Sequence, residues 1–398
     1  MFYILKLYIK ISCFISKESV SMKIIHVTQF LGIGGLEKIL FHLIIEQQKQ
    51  GHLVDLYVYD YDRKWVDYFK SNGINVILPP IKKPGIDLTM FKRFNHDLMK
   101  YDIIHSHDMN PMFYIAPLMA FRRIFYKKNP KYIHTTHGTH HIIRVPRYKY
   151  IEKYLSPLCD RIICVGQKIV DYYQDELGIA KNKLVLIENG VPTLNESVTP
   201  ELKLEKRKAI CSEHGIDISK FIIVCVSRVT ELKDQNFLIE TLKDTKEVEL
   251  LIIGPPSDEK YYKILEDKVK NIPHIKLLGA KSNINDYNLA ADLFVSASTH
   301  EGIPVAVLEA MACKTPCLVS DISGHSTLNK YKKAVFTYDL HNQEDFIKKL
   351  NDLKNQIQID PQVSIVINNA TDVVQNEYSV KKMVNDYLKE YAGDNDHA

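Results

Sequence analysis

Two glutamates, Glu301 and Glu309, bracket the stretch EGIPVAVLE, directly after the apolar run DLFVSAS. That run reads as a strand, so Glu301 falls on the loop at a strand end, followed by Gly302. Pro304 suits the first turn of a helix, where its missing N–H costs nothing. Glu309 then lies inside that helix, roughly 7.5 Å further along the axis at ~1.5 Å per residue. A helix start offers unbonded N–H groups and the positive end of a dipole, which suits a phosphate. One carboxylate could meet sugar hydroxyls beside a diphosphate, and the other a ribose further along. Two glutamates at this spacing are common by chance. The order strand, Glu-Gly, Pro-started helix is what makes the pair informative.

Matching cations stand at another strand end. Ser227-Arg228 closes FIIVCVS, and Lys233 follows. Arginine can bind a diphosphate bidentately and lysine as a point charge; taken alone, both also read as solvated loop charges. His105, His107, His137, His140 and His141 gather at the ends of two further runs, DIIHSHD and YIHTTHG. Their spacing is not a standard zinc pattern and few acids accompany them, so the expectation is no metal. His137, at the tip of its run, fits either a substrate contact or a hydrogen-bonded structural histidine. The loop Gly32-Ile33-Gly34-Gly35 follows a strand and precedes a helix. It is either a tight turn or a place where backbone N–H groups approach an anion. Glu37 breaks the dinucleotide fingerprint, which disfavours a nicotinamide oxidoreductase. Asp60-Tyr61-Asp62 has the form of a metal-holding D-x-D, but its position after the second strand reads as a helix-capping turn. Gly190, in ENGV, reads as a turn glycine.

These residues need a scaffold that presents strand ends. From Lys23 to Asp321 short apolar runs alternate with helical patterns, which implies α/β architecture with parallel sheets covered on both faces. Seven runs, from KIIHVTQF to KLVLIENG, precede the linker-like PTLNESVTPELK. Five more follow it: FIIVCVSR, VELLIIGPP, IKLLGA, DLFVSAS and PCLVSD. The expectation is two doubly wound, Rossmann-like domains facing across a cleft, with ligands at the carboxyl ends of the strands. The assigned limits are an extension over 1–21, a first domain over 22–195 and a second over 196–375. A final helix, about 376–392, returns to the first domain. The tail from Gln343 to Tyr391 reads as helical throughout.

Composition is that of an ordinary globular protein, with 45% hydrophobic and 25% charged residues. Seven cysteines without a CxxC pair read as buried thiols in a reducing compartment. Charge is uneven: residues 22–195 hold 24 Lys and Arg against 16 Asp and Glu, whereas residues 196–398 hold 25 against 31. Between Arg122 and Lys153 nine cations face only Glu152. That segment is either a solvated surface or one drawn to anionic lipid headgroups or a phosphorylated acceptor. No nucleic-acid motif accompanies it. The opening run MFYILKLYIKISCFISKESVS, interrupted by Lys6 and Lys10, is too short to span a bilayer. It reads as an extension before Met22 or as an interfacial anchor.

Taken together these residues resemble the retaining glycosyltransferases of family 4, which have the two-domain GT-B fold. The resemblance runs collinearly over 23–321 through the Gly34-Gly35 loop, His-x-His, THG, ENGV, SR with Lys233, IIG at 252–254 and LLG at 277–279. It is most specific in STHEGIPVAVLEAMA at 298–312. It implies transfer of a sugar from a nucleotide diphosphate, UDP being the expected one, with no cofactor beyond that donor. Glu301 would meet the donor sugar and Glu309 the ribose, while Arg228 and Lys233 hold the diphosphate. The segment after Gly279 would lie against the base. The backbone from Gly302 through Ile303 and Pro304 to Val305 would cradle phosphate and sugar, its N–H groups, which Pro304 lacks, serving as donors. His137 would lie beside the transferred sugar. The first domain would serve the acceptor, a glycan or a lipid-linked one. The basic segment suggests peripheral contact with an anionic membrane, at the cytoplasmic face of the plasma membrane. The sequence departs from the family pattern at Ser227 and at Pro255-Pro256, and at His325, Ser326 and Thr327 after Gly324. Two rivals stay open: a nucleotide-sugar epimerase or hydrolase on the same fold, and a non-catalytic nucleotide-sugar-binding subunit.

Overall fold

The computed structural model describes residues 21–138 apart from 33, residue 145, and residues 147–393 apart from 195–197 and 358. Cys13, His140, His141, Arg144 and nearly all of the expected extension therefore lie outside the described residues. The chain gathers into two compact units. Unit 1 comprises 1–164, 169–185 and 390–398; unit 2 comprises 165–168 and 186–389.

Unit 1 is built on seven strands: β1 Lys23–Thr28, β2 Leu53–Val58, β3 Asn75–Ile77, β4 Ile103–His107, β5 Lys131–Thr136, β6 Arg161–Cys164 and β7 Leu184–Leu186. Their order across the sheet is β3-β2-β1-β4-β5-β6-β7. Unit 2 carries β8 Phe221–Val226, β9 Val248–Ile253, β10 Ile275–Leu277, β11 Leu293–Ser296, β12 Cys317–Ser320 and β13 Phe336–Tyr338, in the order β10-β9-β8-β11-β12-β13. The described pairings are parallel. Continuous apolar runs suit such strands because both faces are covered. Ile24, Ile25 and Val27 on β1 and Ile222, Ile223 and Val224 on β8 are all fully buried. Helices close the faces with apolar stripes; Gly35–Lys49 turns Ile39, Leu40, Leu43 and Ile44 inward. In both sheets the winding reverses next to the first strand, between β1 and β4 and between β8 and β11. Such a reversal opens a crevice at the carboxyl ends of the strands.

Unit 2 departs from the sequence reading in two places. A sixth strand, β13, lies beyond PCLVSD, the last run read from the sequence. The tail, read as helical to Tyr391 with a final helix over about 376–392, is three helices: Gln343–Gln356, Pro361–Glu377 and Val380–Ala392. Pro361 cannot continue a preceding helix, and Asp360 caps the next one by accepting from the Gln362 N–H. The second break is tertiary. Val191 bridges Ser379, its N–H bonding the Tyr378 carbonyl while its carbonyl accepts from Val380. A Cβ on Gly190 would lie 2.5 Å from the Ser379 carbonyl oxygen, so this glycine serves a close backbone approach and not only a turn. The last residues of the final helix join unit 1, where Glu390 pairs with Arg161 at 3.0 Å.

Among the described residues six cysteines are buried free thiols. No described helix is long and apolar enough to cross a membrane.

Candidate active site

In unit 2 the two central strands bring the charged residues together. β8 pairs directly with β11, Ile223 beside Leu293. The loop after β8 therefore runs next to the loop after β11, and Thr299 ties them by donating its N–H to the Leu232 carbonyl at 2.9 Å. Lys233 Nζ consequently lies 2.5 Å from Glu301 Oε1, with the two side chains only 17% and 14% exposed. Ser298 Oγ donates to the same carboxylate oxygen at 2.7 Å. Arg228 differs: it is exposed, and its guanidinium has no hydrogen-bonding or ion-pair partner among the described residues. One cation is thus held against a carboxylate while its neighbour on the same loop is open to an anion.

The Glu301 loop runs into the helix Val305–Ala312, one residue later than the sequence suggests. Pro304 occupies the cap position, its carbonyl accepting from Val307 and Leu308. The Val305 N–H bonds the Ile303 carbonyl, so Gly302 and Ile303 are the residues of this turn whose donors remain for a ligand. Glu309 is buried inside the helix, 8% exposed. Gly279, just beyond β10, sits at a φ of 65° and accepts from the Gly254 N–H at 2.8 Å.

Several residues to which the sequence reading gave no role shape this site. Gln235, fully buried, donates to Ser227 Oγ at 2.8 Å and to the Arg228 carbonyl at 3.0 Å, which fixes the arginine loop. Ser227 thus departs from the family's glycine with a bond of its own. A Cβ on Gly254 would come within 1.8 Å of the Ser227 carbonyl oxygen, so the IIG motif is the floor of the Arg228 loop. Asp234, at a φ of 42°, caps the helix Gln235–Leu242 through the Phe237 N–H. A Cβ on Gly324 would lie 2.7 Å from Glu301 Cβ, so the loop after Asp321 packs on the Glu301 backbone. Beside it His325 is fully buried. Its Nδ1–H donates to the Ser320 carbonyl at 2.8 Å, and its Nε2 has no hydrogen-bond partner. Burial lowers its pKa, so it is a neutral ring with a buried acceptor atom.

Unit 1 holds the remaining residues. Gly34 caps the helix that starts at Gly35, and both are exposed. The turn has an internal anion: Glu37 Oε1 accepts from the Gly32 N–H at 3.2 Å, and burial raises the Glu37 pKa. The D-x-D does not cap a helix. Asp60 accepts from Gln29 Nε2 at 2.7 Å, and the Asp62 carbonyl accepts from the Leu31 N–H, so the segment braces the glycine loop. The helix that follows begins after Trp65 with no side-chain cap.

His137, half-buried just past β5, bonds His107 at 3.1 Å. Burial lowers its pKa, with Asp108 pulling the other way. Asp108 itself sits at φ 63° and ψ 172°, a region that costs a non-glycine residue about 1–3 kcal/mol. Ring nitrogens of His26, His105 and His107 come within 4.8 Å of one another. Each already has a hydrogen-bond partner, so they form a network rather than a set of converging lone pairs.

The family described as Glycosyl transferases group 1 matches residues 206–371, and Glycosyltransferase Family 4 matches residues 33–193. An Escherichia coli protein named UDP-Gal:alpha-D-GlcNAc-diphosphoundecaprenol alpha-1,3-galactosyltransferase is 27% identical over 302 residues, covering 72% of this chain and 73% of its own. Among solved structures, a glycosyltransferase from Rickettsia africae has a TM-score of 0.77 at 19% identity, covering 94% of this chain and 98% of that one. HepE of Anabaena, in complex with UDP and glucose, has a TM-score of 0.73 at 16% identity, covering 94% and 100%. The two family matches together span most of the sequence, and the two doubly wound units are those of the GT-B fold. The chain belongs to the group 1 glycosyltransferases of the family 4 type, and it is a transferase enzyme.

Proposed function

We propose that this enzyme moves a sugar from a UDP-sugar, with retention of anomeric configuration, to a lipid-linked or polysaccharide acceptor in cell-surface glycan biosynthesis. The observation that carries the reading is the pairing of Lys233 with Glu301 beside the unpaired Arg228, at the carboxyl ends of two adjacent central strands. The barrier is loss of the diphosphate as oxocarbenium character grows at C1. Arg228 takes phosphate oxygens bidentately, and Lys233 shares its charge between Glu301 and the phosphate, so leaving charge is stabilised where it develops. Glu301, held by Ser298, accepts donor-sugar hydroxyls and Glu309 the ribose hydroxyls. The C1–O bond to the diphosphate breaks, the acceptor oxygen bonds C1 on the same face, and its proton passes to the departing phosphate oxygen. His137 is assigned a substrate contact on the resemblance to the family alone. These groups supply positive charge at the leaving group without calling on a metal. UDP is favoured because the Escherichia coli relative is named for a UDP-galactose donor and a diphosphoundecaprenol acceptor, and HepE is seen with UDP and glucose.

A lipid-linked acceptor fits the surface of unit 1. Phe121, Ile124, Phe125 and Tyr126 are at least half exposed, and Arg122, Arg123, Lys127 and Lys128 interleave with them. Apolar side chains set among cations suit peripheral binding to an anionic bilayer, at the cytoplasmic face of the plasma membrane.

The test is turnover of UDP-sugars with a lipid-linked acceptor, with the anomer of the product read by NMR. Glu301→Ala and Arg228→Ala should each lose more than about 100-fold in turnover, roughly 2.7 kcal/mol of barrier. Near-normal turnover of either variant rejects the assignment. Conversion of UDP-sugar without any acceptor would point to an epimerase or hydrolase instead.

A further inference from the structure

A buried hydrogen-bond chain crosses unit 1 from the helix Gly35–Lys49 to His137. Gln47 turns its Oε1 to His26 Nε2 at 2.8 Å and its Nε2 to the Tyr391 hydroxyl at 3.3 Å. His26 Nδ1 lies 2.9 Å from His107 Nε2, and His107 Nδ1 lies 3.1 Å from His137 Nε2. The sheet register makes this possible. His26 on β1 stands beside His105 on β4, and His107, two residues on, shares its face. Gln47, His26 and His107 are essentially inaccessible to solvent. Burial drives the His26 pKa down to about 4 and that of His107 well below its ordinary value. Each ring therefore carries one proton, donating from one nitrogen and accepting at the other.

A neutral chain of this kind has only two orders. A carboxamide oxygen can only accept, so His26 donates from Nε2 and accepts at Nδ1. His107 then donates from Nε2 and accepts at Nδ1, and His137 donates from Nε2. The side branch is consistent with this order. The Gln47 amide donates to Tyr391, whose hydroxyl donates to His105 Nδ1 at 2.6 Å, and His105 Nε2 donates to Thr135 Oγ1 at 2.7 Å. His137 Nδ1 is left bare, and no described residue bonds it. Rotating the carboxamide by half a turn would reverse every donor in the chain and put a proton on His137 Nδ1.

We propose that Gln47 is a positioning residue that sets the tautomer of His137, so that His137 presents an acceptor nitrogen to a substrate hydroxyl rather than an N–H to a phosphate. The functional half of this inference rests on the reading of His137 as a substrate contact; the tautomer half does not. Two rings, those of His26 and His107, separate Gln47 from the atom it controls.

The experiment is long-range 1H–15N correlation of the full chain labelled at histidine, with His137 assigned by loss of its signals in His137→Asn. The wild type should show a protonated Nε2 and a pyridine-like Nδ1 at His137. Gln47→Leu removes the terminal acceptor and should move the His137 signals toward mixed tautomers. Turnover should fall about tenfold, the order expected for losing one oriented hydrogen bond to the substrate, with little change in the donor KM. Tyr391→Phe, which frees the carboxamide to rotate, should shift the signals the same way but less, and serves if Gln47→Leu does not fold. A wild-type His137 protonated at Nδ1, or a tautomer unchanged in both variants, overturns the proposal. The spectra need no substrate, so a failed transferase assay would reject the functional reading and leave the tautomer result standing.

Discussion

At the scale of single residues, Lys233 and Glu301 hold each other 2.5 Å apart with both side chains largely covered. Removing one partner strands the other charge in a poorly solvated place. Lys233→Met should therefore lower stability by about 2 kcal/mol, a discounted share of what breaking a fully buried pair costs, and should also lower turnover. Glu301→Gln keeps a group that Ser298 can donate to, so it should abolish most turnover with a smaller loss of stability. Urea unfolding and steady-state kinetics on the two variants check this, and equal destabilisation by both would contradict it. The charged residues were legible in the sequence because each lies in a short motif next to its own strand. Ser298, Gln235 and His325 were given no role, because each acts through a short-range hydrogen bond that only the folded loop geometry fixes. Gln235 reads as any polar helix residue until its amide is seen under the Arg228 loop. Glu37 was noticed only for breaking a fingerprint; its carboxylate in fact occupies the glycine turn.

At the scale of elements, the loop after β8 depends on the end of β9. Gly254 has a φ of 154°, and a Cβ there would overlap the Ser227 carbonyl. Gly254→Ala should force the Ser227-Arg228 turn away from β9. The expected result is a cost of about 2 kcal/mol or more, as for strained backbone combined with overpacking, and a raised donor KM. Calorimetry and donor titration would show it; an unchanged KM would mean that the Arg228 loop does not bind donor. Elements themselves were readable where a short apolar run stood between turn signals. β13 lies beyond the last run singled out, and the bridge from Val191 to Ser379 that fixes the start of the final helix is invisible to local periodicity.

At the scale of the whole molecule, charge and burial make two further predictions. Burial lowers the folded pKa of His26 to about 4, against an ordinary 6.5. Between those values the unfolded state binds more protons, so stability falls as pH falls. His26 alone should cost about 2 kcal/mol at pH 5 relative to neutral pH. His105, His107 and His137 are lowered in the same direction and add to it. Urea unfolding at pH 7 and pH 5, followed by hydrogen exchange, should show a lower midpoint in acid, with unit 1 losing protection first. A midpoint independent of pH would refute this. The second prediction concerns the run from Phe121 to Lys128. Co-sedimentation with phosphatidylglycerol vesicles should exceed that with phosphatidylcholine and weaken with salt, since such attraction is screened within about 10 Å at 0.1 M. Phe121→Ser with Phe125→Ser should reduce it. Equal binding to both vesicle types would remove the membrane reading.

The sequence by itself determined the α/β architecture with its doubled winding, because continuous apolar runs separated by helical stripes leave no other way to bury both. It also determined the positions of Arg228, Lys233, Glu301 and Glu309, because strand ends and helix starts are local events. Only the tertiary structure decided which of those charges are paired, since that depends on β8 lying beside β11. It also decided that the histidines of β1, β4 and the segment past β5 form one ordered chain ending at Gln47. Register between strands brought together in the fold, rather than spacing along the chain, puts those rings on one face.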